Sequence, residues 1–221
     1  MHPQRWILIV ALSLAGAYLW LGGAFVGVTS RDVGAQAGDT LVAPPNAPGV
    51  SIATFASGCF WCTESDFDKV PGVVSTTSGY TGGTVANPTY RQVTSGRTGH
   101  TEAVYVVFDP TVTTYSALLE HYWRNVDPFA AHRQFCDVGD SYRPVIFVHT
   151  EEQRVAAEAS KARMGQRFGK PILVAVQPAT PFYRAEKYHQ DYYTKNAAQY
   201  RFYRFVCGRD RRLAEIWAGA T

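Results

Sequence analysis

The order of apolar and polar residues after residue 50 predicts strands and helices in alternation. Short apolar runs that end at Gly, Pro or Asp-Pro predict strands at residues 51–57, 73–80, 102–108, 145–149 and 172–178. Helical spacing of apolar residues, or a long mixture of apolar and charged residues, predicts helices at 63–70, 116–125, 151–168, 188–196 and 211–217. We therefore expect an α+β domain in which one mixed sheet is packed against helices.

The N-terminal segment has a different pattern. Residues 6–30 carry no charged side chain, and Arg5 precedes them, which is typical of a secretory signal or a membrane anchor. Ala-Gln-Ala at 35–37 supplies a cleavage motif, whereas residues 6–28 are long enough to cross a bilayer, so both outcomes stay open. Either one predicts an exported location, periplasmic or anchored to the membrane and facing away from the cytoplasm.

We divide the chain into a leader or anchor at residues 1–37, a Pro/Gly-rich linker at 38–50 and a catalytic domain at 51–221. Hydrophobic residues make up 46% and charged residues 18%, as in a globular domain. The net charge is +3 and no long Lys/Arg run occurs, so nothing predicts a nucleic-acid partner. The basic residues Arg209, Arg211 and Arg212 are interpreted as a solvated face.

The segment GCFWCTE at 58–64 carries candidate chemistry. A strand ends, Gly58 frees the backbone, and Cys59 falls at or just before the start of a helix. The N–H groups and the dipole of that helix should lower the pKa of the Cys59 thiol. The aromatic residues that follow suggest an apolar pocket, although a buried structural cysteine is the plainer interpretation of this segment alone.

Further segments follow in a fixed order: GYTGG at 79–83, PTYRQV at 88–93, SGRTGHTEAVYVVFDP at 95–110, RQFCDVGDSYRP at 133–144 and FYRAEKYHQDYY at 182–193. Together with GCFW they resemble the motifs of the A-type peptide methionine sulfoxide reductases, from about residue 55 to 196. The resemblance implies a ferredoxin-like two-layer α/β sandwich. It also implies reduction of methionine (S)-sulfoxide, free and in oxidised proteins or peptides, through a cysteine sulfenic acid and an intramolecular disulfide.

The resemblance assigns roles to seven side chains, with Cys59 as the nucleophile and Glu102 as the acid that protonates the sulfoxide oxygen. The groups around that oxygen would be Tyr90, Asp137 and Tyr142, and the wall that receives the substrate methyl group would be Phe60 and Trp61. The acid must hold a proton at neutral pH, so burial should raise the pKa of Glu102. His100 is expected to pack locally, and His189 to hold the C-terminal segment over the site.

The route that regenerates the thiol stays open. Cys62 stands where many relatives have glycine, Phe135-Cys136 replaces the usual Gly-Asn, and VCGRDRRL at 206–213 replaces the usual Gly-Tyr-Cys-Gly tail. The candidates for the resolving thiol are Cys207, then Cys62, then Cys136, within the limits of disulfide geometry. No metal or organic cofactor is implied, and the electrons should come from a thioredoxin-type dithiol reductant. We expect a monomer that meets the membrane only through its N-terminal segment.

Three other functions compete with this interpretation. Cys59 and Cys62 could form the C-x-x-C of a thioredoxin-like disulfide oxidoreductase. The four cysteines could hold a structural zinc ion, although one C-x-x-C with two distant cysteines matches that poorly. A non-enzymatic binding module would not need Cys59 and Glu102 together.

Overall fold

A computed structural model describes Val42 and residues 48–219 of the chain. The strands are β1 (Ser51–Ala56), β2 (Val73–Thr81), β3 (Thr101–Phe108), β4 (Arg133–Gln134), β5 (Asp137–Val138), β6 (Val145–Val148), β7 (Ala175–Pro178) and β8 (Tyr183–Arg184). The α-helices are α1 (Phe60–Phe67), α2 (Tyr90–Thr94), α3 (Tyr115–Arg124), α4 (Glu151–Phe168), α5 (Tyr192–Lys195), α6 (Ala197–Cys207) and α7 (Arg209–Ala218), and a 3-10 turn covers Asp140–Tyr142.

Six of the strands form one mixed sheet in the order β7-β6-β1-β3-β2-β8, and β4 and β5 form a separate small hairpin. The β6–β7 pair is parallel and the other pairs are antiparallel. Helices α1, α3 and α4 pack against the sheet, as expected for an α+β fold. The predicted fold class is therefore confirmed.

The alternation of side chains along β3 decides which residues face the helices. Val104 and Val106 belong to the core shared with α1 and α3, whereas Ala103 and Tyr105 belong to a smaller core on the opposite face. Because side chains of a strand alternate between faces, Glu102 lies on the same face as Val104 and points toward α1.

Several predicted boundaries are correct. Helix α4 begins after Thr150, whose hydroxyl accepts the N–H of Gln153, and it ends at Gly169 with a left-handed φ of 59°, as the sequence predicts. The strands near residues 51, 73, 102 and 145 also lie where the pattern places them.

Other boundaries are wrong. The helix predicted at 63–70 begins earlier, at Phe60, because it starts directly after Cys59. Residues 172–174 precede β7 and are not part of it. In the segment 188–196 only α5 is helical, since Asp191 has a φ of 53° that breaks the helix before it. Helix α6 was not predicted, because apolar residues lie on its exposed as well as its buried face.

The predicted leader and most of the predicted linker lie outside the described residues. Val42, inside that linker, donates its N–H to the Phe182 carbonyl at 2.8 Å and packs against the smaller core. Among the residues that the structure describes, no helix is both long and apolar enough to span a membrane.

Candidate active site

Cys59 lies where β1 gives way to α1. Gly58, with a φ of 89°, turns the chain, and Cys59 is the N-cap residue of the helix. Its carbonyl accepts the N–H groups of Cys62 at 3.1 Å and Thr63 at 3.2 Å. The thiol is buried, and its predicted place at the start of a helix is confirmed.

Glu102 reaches the same point from β3. Its Oε2 accepts the backbone N–H of Phe60, the residue after Cys59, at 3.0 Å, and its side chain is 1% exposed. Burial raises the pKa of Glu102 to about 8, although the Phe60 N–H partly opposes this by stabilising the carboxylate. The carboxyl therefore keeps its proton at neutral pH, in agreement with the sequence prediction.

The prediction of a lowered Cys59 pKa is wrong. The pKa of the Cys59 thiol is raised well above its ordinary value. Burial is the largest cause, and the hydrogen bond with Cys62 and the charges of Glu102 and Asp137 add to it. Burial removes the thiolate from water, and the first N–H of the helix, that of Phe60, is already donated to Glu102. The first N–H group of the helix is thus hydrogen-bonded to the Glu102 carboxyl rather than to the thiol.

Cys62 is the other free thiol, and it is hydrogen-bonded to Cys59. That hydrogen bond, together with the positive charges of Arg209 and Arg204, lowers the pKa of Cys62 despite its burial. Negative charge on the thiol pair is therefore favoured at Cys62 and not at Cys59.

Arg209 was expected on a solvated face, and this is wrong. Its side chain is 1% exposed, and its guanidinium donates to the Ser57 carbonyl at 3.1 Å. It lies 3.6 Å from a carboxylate oxygen of Asp66 and 4.4 Å from the ring centre of Phe135. This buried cation of α7 thus anchors the C-terminal helix beside the thiol pair.

The three predicted polar groups lie around the same thiol. The hydroxyls of Tyr90 and Tyr142 are hydrogen-bonded to each other, and burial with the nearby Glu102 charge raises the pKa of both, that of Tyr90 to about 12. Both remain hydrogen-bond donors at neutral pH. Asp137 accepts the hydroxyl hydrogen of Tyr203 at 2.5 Å, and burial raises its pKa.

The two aromatic residues differ in accessibility. Phe60 is fully buried, in contact with the rings of Tyr80 and His189. Trp61 is half-buried, and its ring is stacked on Tyr192 at 3.7 Å. Trp61 is therefore the more accessible of the two residues predicted to form the wall.

The two histidines have the predicted structural roles. His189 accepts the indole N–H of Trp61 at 3.0 Å, and burial lowers the pKa of His189 to about 4, so it is neutral. It thereby ties the segment after β8 to α1. His100 accepts the N–H of Gly83 at 3.1 Å and lies 2.7 Å from the Val85 carbonyl, a local packing role.

Sequence reasoning missed two residues of the site. Glu186 accepts the Tyr80 hydroxyl at 2.8 Å and the Tyr90 N–H at 2.9 Å, and its place in the AEKYHQ motif could have identified it. Tyr203, which contacts Trp61 edge-on and holds Asp137, lies on the unpredicted helix α6, and no sequence signal identifies it.

The four cysteines form two separate pairs. Cys136 and Cys207 are joined in a disulfide with a Cα–Cα distance of 5.0 Å, while Cys59 and Cys62 are free. A four-cysteine zinc site is therefore not formed. Asp137 lies close to both disulfide sulfurs, but sulfurs bonded to each other offer no thiolate to a metal.

A buried thiol pair beside a protonated carboxyl and two tyrosine hydroxyls, on an α+β domain, defines a thiol-dependent reductase. The family model for peptide methionine sulfoxide reductase matches residues 51–221. The chain therefore belongs to the peptide methionine sulfoxide reductase family, and it is an oxidoreductase that reduces methionine sulfoxide.

Individual relatives agree with this assignment. The chain is 58% identical over 150 residues to peptide methionine sulfoxide reductase MsrA of Ligilactobacillus salivarius, covering 67% of this chain and 87% of that protein. It is 53% identical over 169 residues to the MsrA of Listeria innocua, covering 76% and 96%. Among solved structures, Mxr1 from Saccharomyces cerevisiae in reduced form matches with a TM-score of 0.66 and 30% identity, covering 72% of this chain and 91% of that one. These findings support the sulfoxide reductase over the alternative of a thioredoxin-like disulfide oxidoreductase.

Proposed function

We propose that the chain reduces the S epimer of methionine sulfoxide, free and in peptides or oxidised proteins, with Cys59 as the nucleophile and Glu102 as the acid. One observation carries the proposal: the Glu102 carboxyl is bound to the N–H of the residue that follows Cys59. An acid with a pKa near 8 thus lies beside a buried sulfur. The preference for the S epimer rests on the family resemblance.

The first step forms one bond and breaks another. The Glu102 carboxyl gives its proton to the sulfoxide oxygen, which makes the sulfur electrophilic, and the Cys59 sulfur attacks it. The Tyr90 and Tyr142 hydroxyls donate to the oxygen as charge develops on it. The oxygen passes to Cys59 together with the proton from Glu102, and the Cys59 thiol proton is taken up by the Glu102 carboxylate. The products are therefore methionine and the sulfenic acid of Cys59, with Glu102 protonated again. Trp61 is the wall that receives the substrate methyl group.

We assign the second step to Cys62. Its thiol is hydrogen-bonded to that of Cys59, and two arginines favour its thiolate, the form that attacks a sulfenic acid. Attack of the Cys62 thiol on the Cys59 sulfenic acid gives a Cys59–Cys62 disulfide and one water molecule. Cys207, which the sequence placed first, is held by Cys136 and would have to be released before it could act.

The test is a steady-state assay with each sulfoxide epimer. Cys59→Ser should abolish turnover of the S epimer. For the wild type, kcat/KM should fall as the pH rises through about 8, because the Glu102 proton is then lost. Glu102→Gln should be slowed by roughly 10²–10⁴ and lack this pH dependence, since an amide cannot donate a proton in the reaction. A Glu102→Gln variant with the wild-type rate and pH profile would remove Glu102 from the mechanism.

The resolving thiol is tested after a single turnover. Cys62→Ser should leave a Cys59 sulfenic acid that a sulfenic-acid-specific probe captures, whereas wild-type protein should give a Cys59–Cys62 disulfide in peptide mapping. Cys207→Ser is the matched control and should still form that disulfide. If Cys207→Ser leaves the sulfenic acid and Cys62→Ser does not, Cys207 resolves it.

We further propose a thioredoxin-type dithiol as the reductant of this disulfide and a monomeric, exported enzyme. The reductant follows from the family resemblance.

The location is supported by the uncharged residues 6–30, which follow Arg5. Cell fractionation tests the location: native protein in the cytosol would contradict it. Removing residues 1–37 should leave the rate with a chemical dithiol unchanged.

A further inference from the structure

A cavity of about 340 Å³ lies beside the surface disulfide, and none of the residues assigned to sulfoxide reduction lines it. Its wall is formed where the N-terminus of α7 meets β4, and the residues used below are Asp127, Arg133, Phe135, Cys207, Arg211 and Arg212. Its volume is in the range of small-molecule binding sites in proteins.

The cavity exposes one sulfur-bearing residue of the disulfide and not the other. Cys207 lines the wall, whereas Cys136 is exposed at the surface and is not a lining residue. A thiolate attacks one sulfur of a disulfide and expels the other, through a mixed disulfide. A thiol held in the cavity would therefore attack Cys207 and release Cys136 toward solvent.

The charges of the cavity favour an anion. Arg212 is neutralised by Asp127 at 2.7 Å, and the Arg133 guanidinium donates to the Phe135 carbonyl at 2.6 Å without losing its charge. Arg211 is 82% exposed, and its guanidinium is as far as 4.0 Å from the Glu215 carboxylate, so this ion pair is weak. Three arginines thus face two carboxylates, and Arg211 is the one most available to a ligand.

We propose that this cavity binds a small anionic thiol, of the class of short cysteine-containing peptides with free carboxylates, which opens the Cys136–Cys207 disulfide. The thiolate of the ligand bonds to the Cys207 sulfur, the Cys136–Cys207 bond breaks, and Cys136 leaves as a thiolate that takes up the proton lost by the ligand. A second ligand thiol then reduces the mixed disulfide, giving ligand disulfide and free Cys207. The carboxylates of the bound ligand pair with Arg211 and Arg133. This reaction is independent of sulfoxide reduction at Cys59.

The test uses the oxidised full chain without any sulfoxide. Alkylation and peptide mapping measure the rate at which the Cys136–Cys207 disulfide opens. The anionic thiol is glutathione and the cationic thiol is cysteamine, and each rate is corrected for the thiolate fraction of the reagent. Glutathione should react about fivefold faster, the size expected for exposed carboxylate–arginine pairs. Arg211→Glu should remove this preference. Arg163→Glu, a charge reversal on α4, is the matched control and should retain it.

A second measurement identifies the sulfur that is attacked. Cys136→Ser leaves Cys207 free, and Cys207→Ser leaves Cys136 free, so each can be labelled with glutathione disulfide. Cys207 should be labelled faster, and its labelling alone should depend on Arg211. Equal rates for anionic and cationic thiols, faster labelling of Cys136, or opening only by a thioredoxin-type protein would overturn the proposal. None of these results depends on whether Cys59 reduces sulfoxides.

Discussion

Glu102 has opposite effects on catalysis and on stability. Its proton is needed for the reaction, and burial keeps that proton in place up to a pH of about 8. In the unfolded chain the same carboxyl has its ordinary pKa of about 4.5. Between these two values the folded state binds the extra proton, so the free energy of unfolding falls as the pH rises. The site thus destabilises the fold at the pH where it works.

Glu102→Gln should therefore stabilise the protein at high pH. The amide does not titrate, and its oxygen can still accept the Phe60 N–H. The gain in the free energy of unfolding relative to wild type should be small at pH 5 and roughly 2 kcal/mol at pH 8. This is less than the free energy that corresponds to the whole pKa shift, because local rearrangement lowers the cost of burying the carboxylate. Urea denaturation at both pH values measures this gain.

The exposed Glu158→Gln on α4 serves as the control for that measurement, and its effect should not change between the two pH values. A gain from Glu102→Gln that is the same at pH 5 and pH 8 would mean that Glu102 is ionised in the folded protein.

Residues with a specific chemical role were the easiest to identify from the sequence. The motifs around Cys59 and Glu102 led to both residues, and the structure brings them together. The raised pKa of the Cys59 thiol was not predictable, because the sequence does not show that the thiol is buried or that the first N–H of α1 is donated to Glu102. Tyr203 was not predictable either, since its contact with Asp137 joins positions 66 residues apart.

At the scale of elements, the connection from β1 to α1 sets the position of Cys59. Gly58 has a φ of 89°, and a Cβ atom on it would lie 2.5 Å from the Cβ of Gln134. Gln134 is buried, and its side-chain amide holds the backbone of Asp127 through two hydrogen bonds of 2.9 Å. It therefore cannot move away without breaking those hydrogen bonds.

Gly58→Ala should lower the free energy of unfolding by about 3 kcal/mol or more, since overpacking adds to backbone strain. It should also reduce the rate of sulfoxide reduction, because Cys59 is the next residue. Gly96→Ala is a matched control: Gly96 has a φ of 74°, and a Cβ there would meet nothing within 4 Å. It should cost roughly 1 kcal/mol from strain alone and leave activity unchanged. Equal losses from both variants would show that Gln134 yields to the methyl group.

Elements with both ends marked in the sequence were predicted best. Helix α4 has Thr150 at its start and Gly169 at its end, and local chemistry fixes both boundaries. The segment around α5 and α6 was predicted poorly, because tertiary contacts decide it. The N–H of Asp191 is donated to Glu64 at 3.0 Å, 127 residues earlier, and this contact accompanies the break before α5. No local pattern shows such a contact.

At the scale of the whole molecule, the C-terminal helices are joined to the rest by a covalent and an ionic contact. The disulfide connects the β4–β5 hairpin to the last residue of α6, and the buried Arg209 of α7 lies against Asp66 of α1. Arg209 also lies beside the thiol pair, where its charge lowers the pKa of Cys62. The C-terminal tail that departs from the family pattern thus helps to build the site.

The disulfide closes a long loop, because its cysteines are 71 residues apart. Restricting the unfolded chain to such a loop stabilises a fold by about 4 kcal/mol in the chain-entropy estimate. The double variant Cys136→Ser, Cys207→Ser should therefore unfold at lower urea concentration than the oxidised wild type, with a loss of about 2–4 kcal/mol. A chemical dithiol should destabilise the wild type by a similar amount and leave the double variant unchanged. The Arg209 contacts remain in both proteins, so the loss measures the covalent link rather than the docking of α7. If the double variant matches the oxidised wild type in stability, the disulfide does not support the fold, and its exchange with thiols at the surface becomes its remaining role.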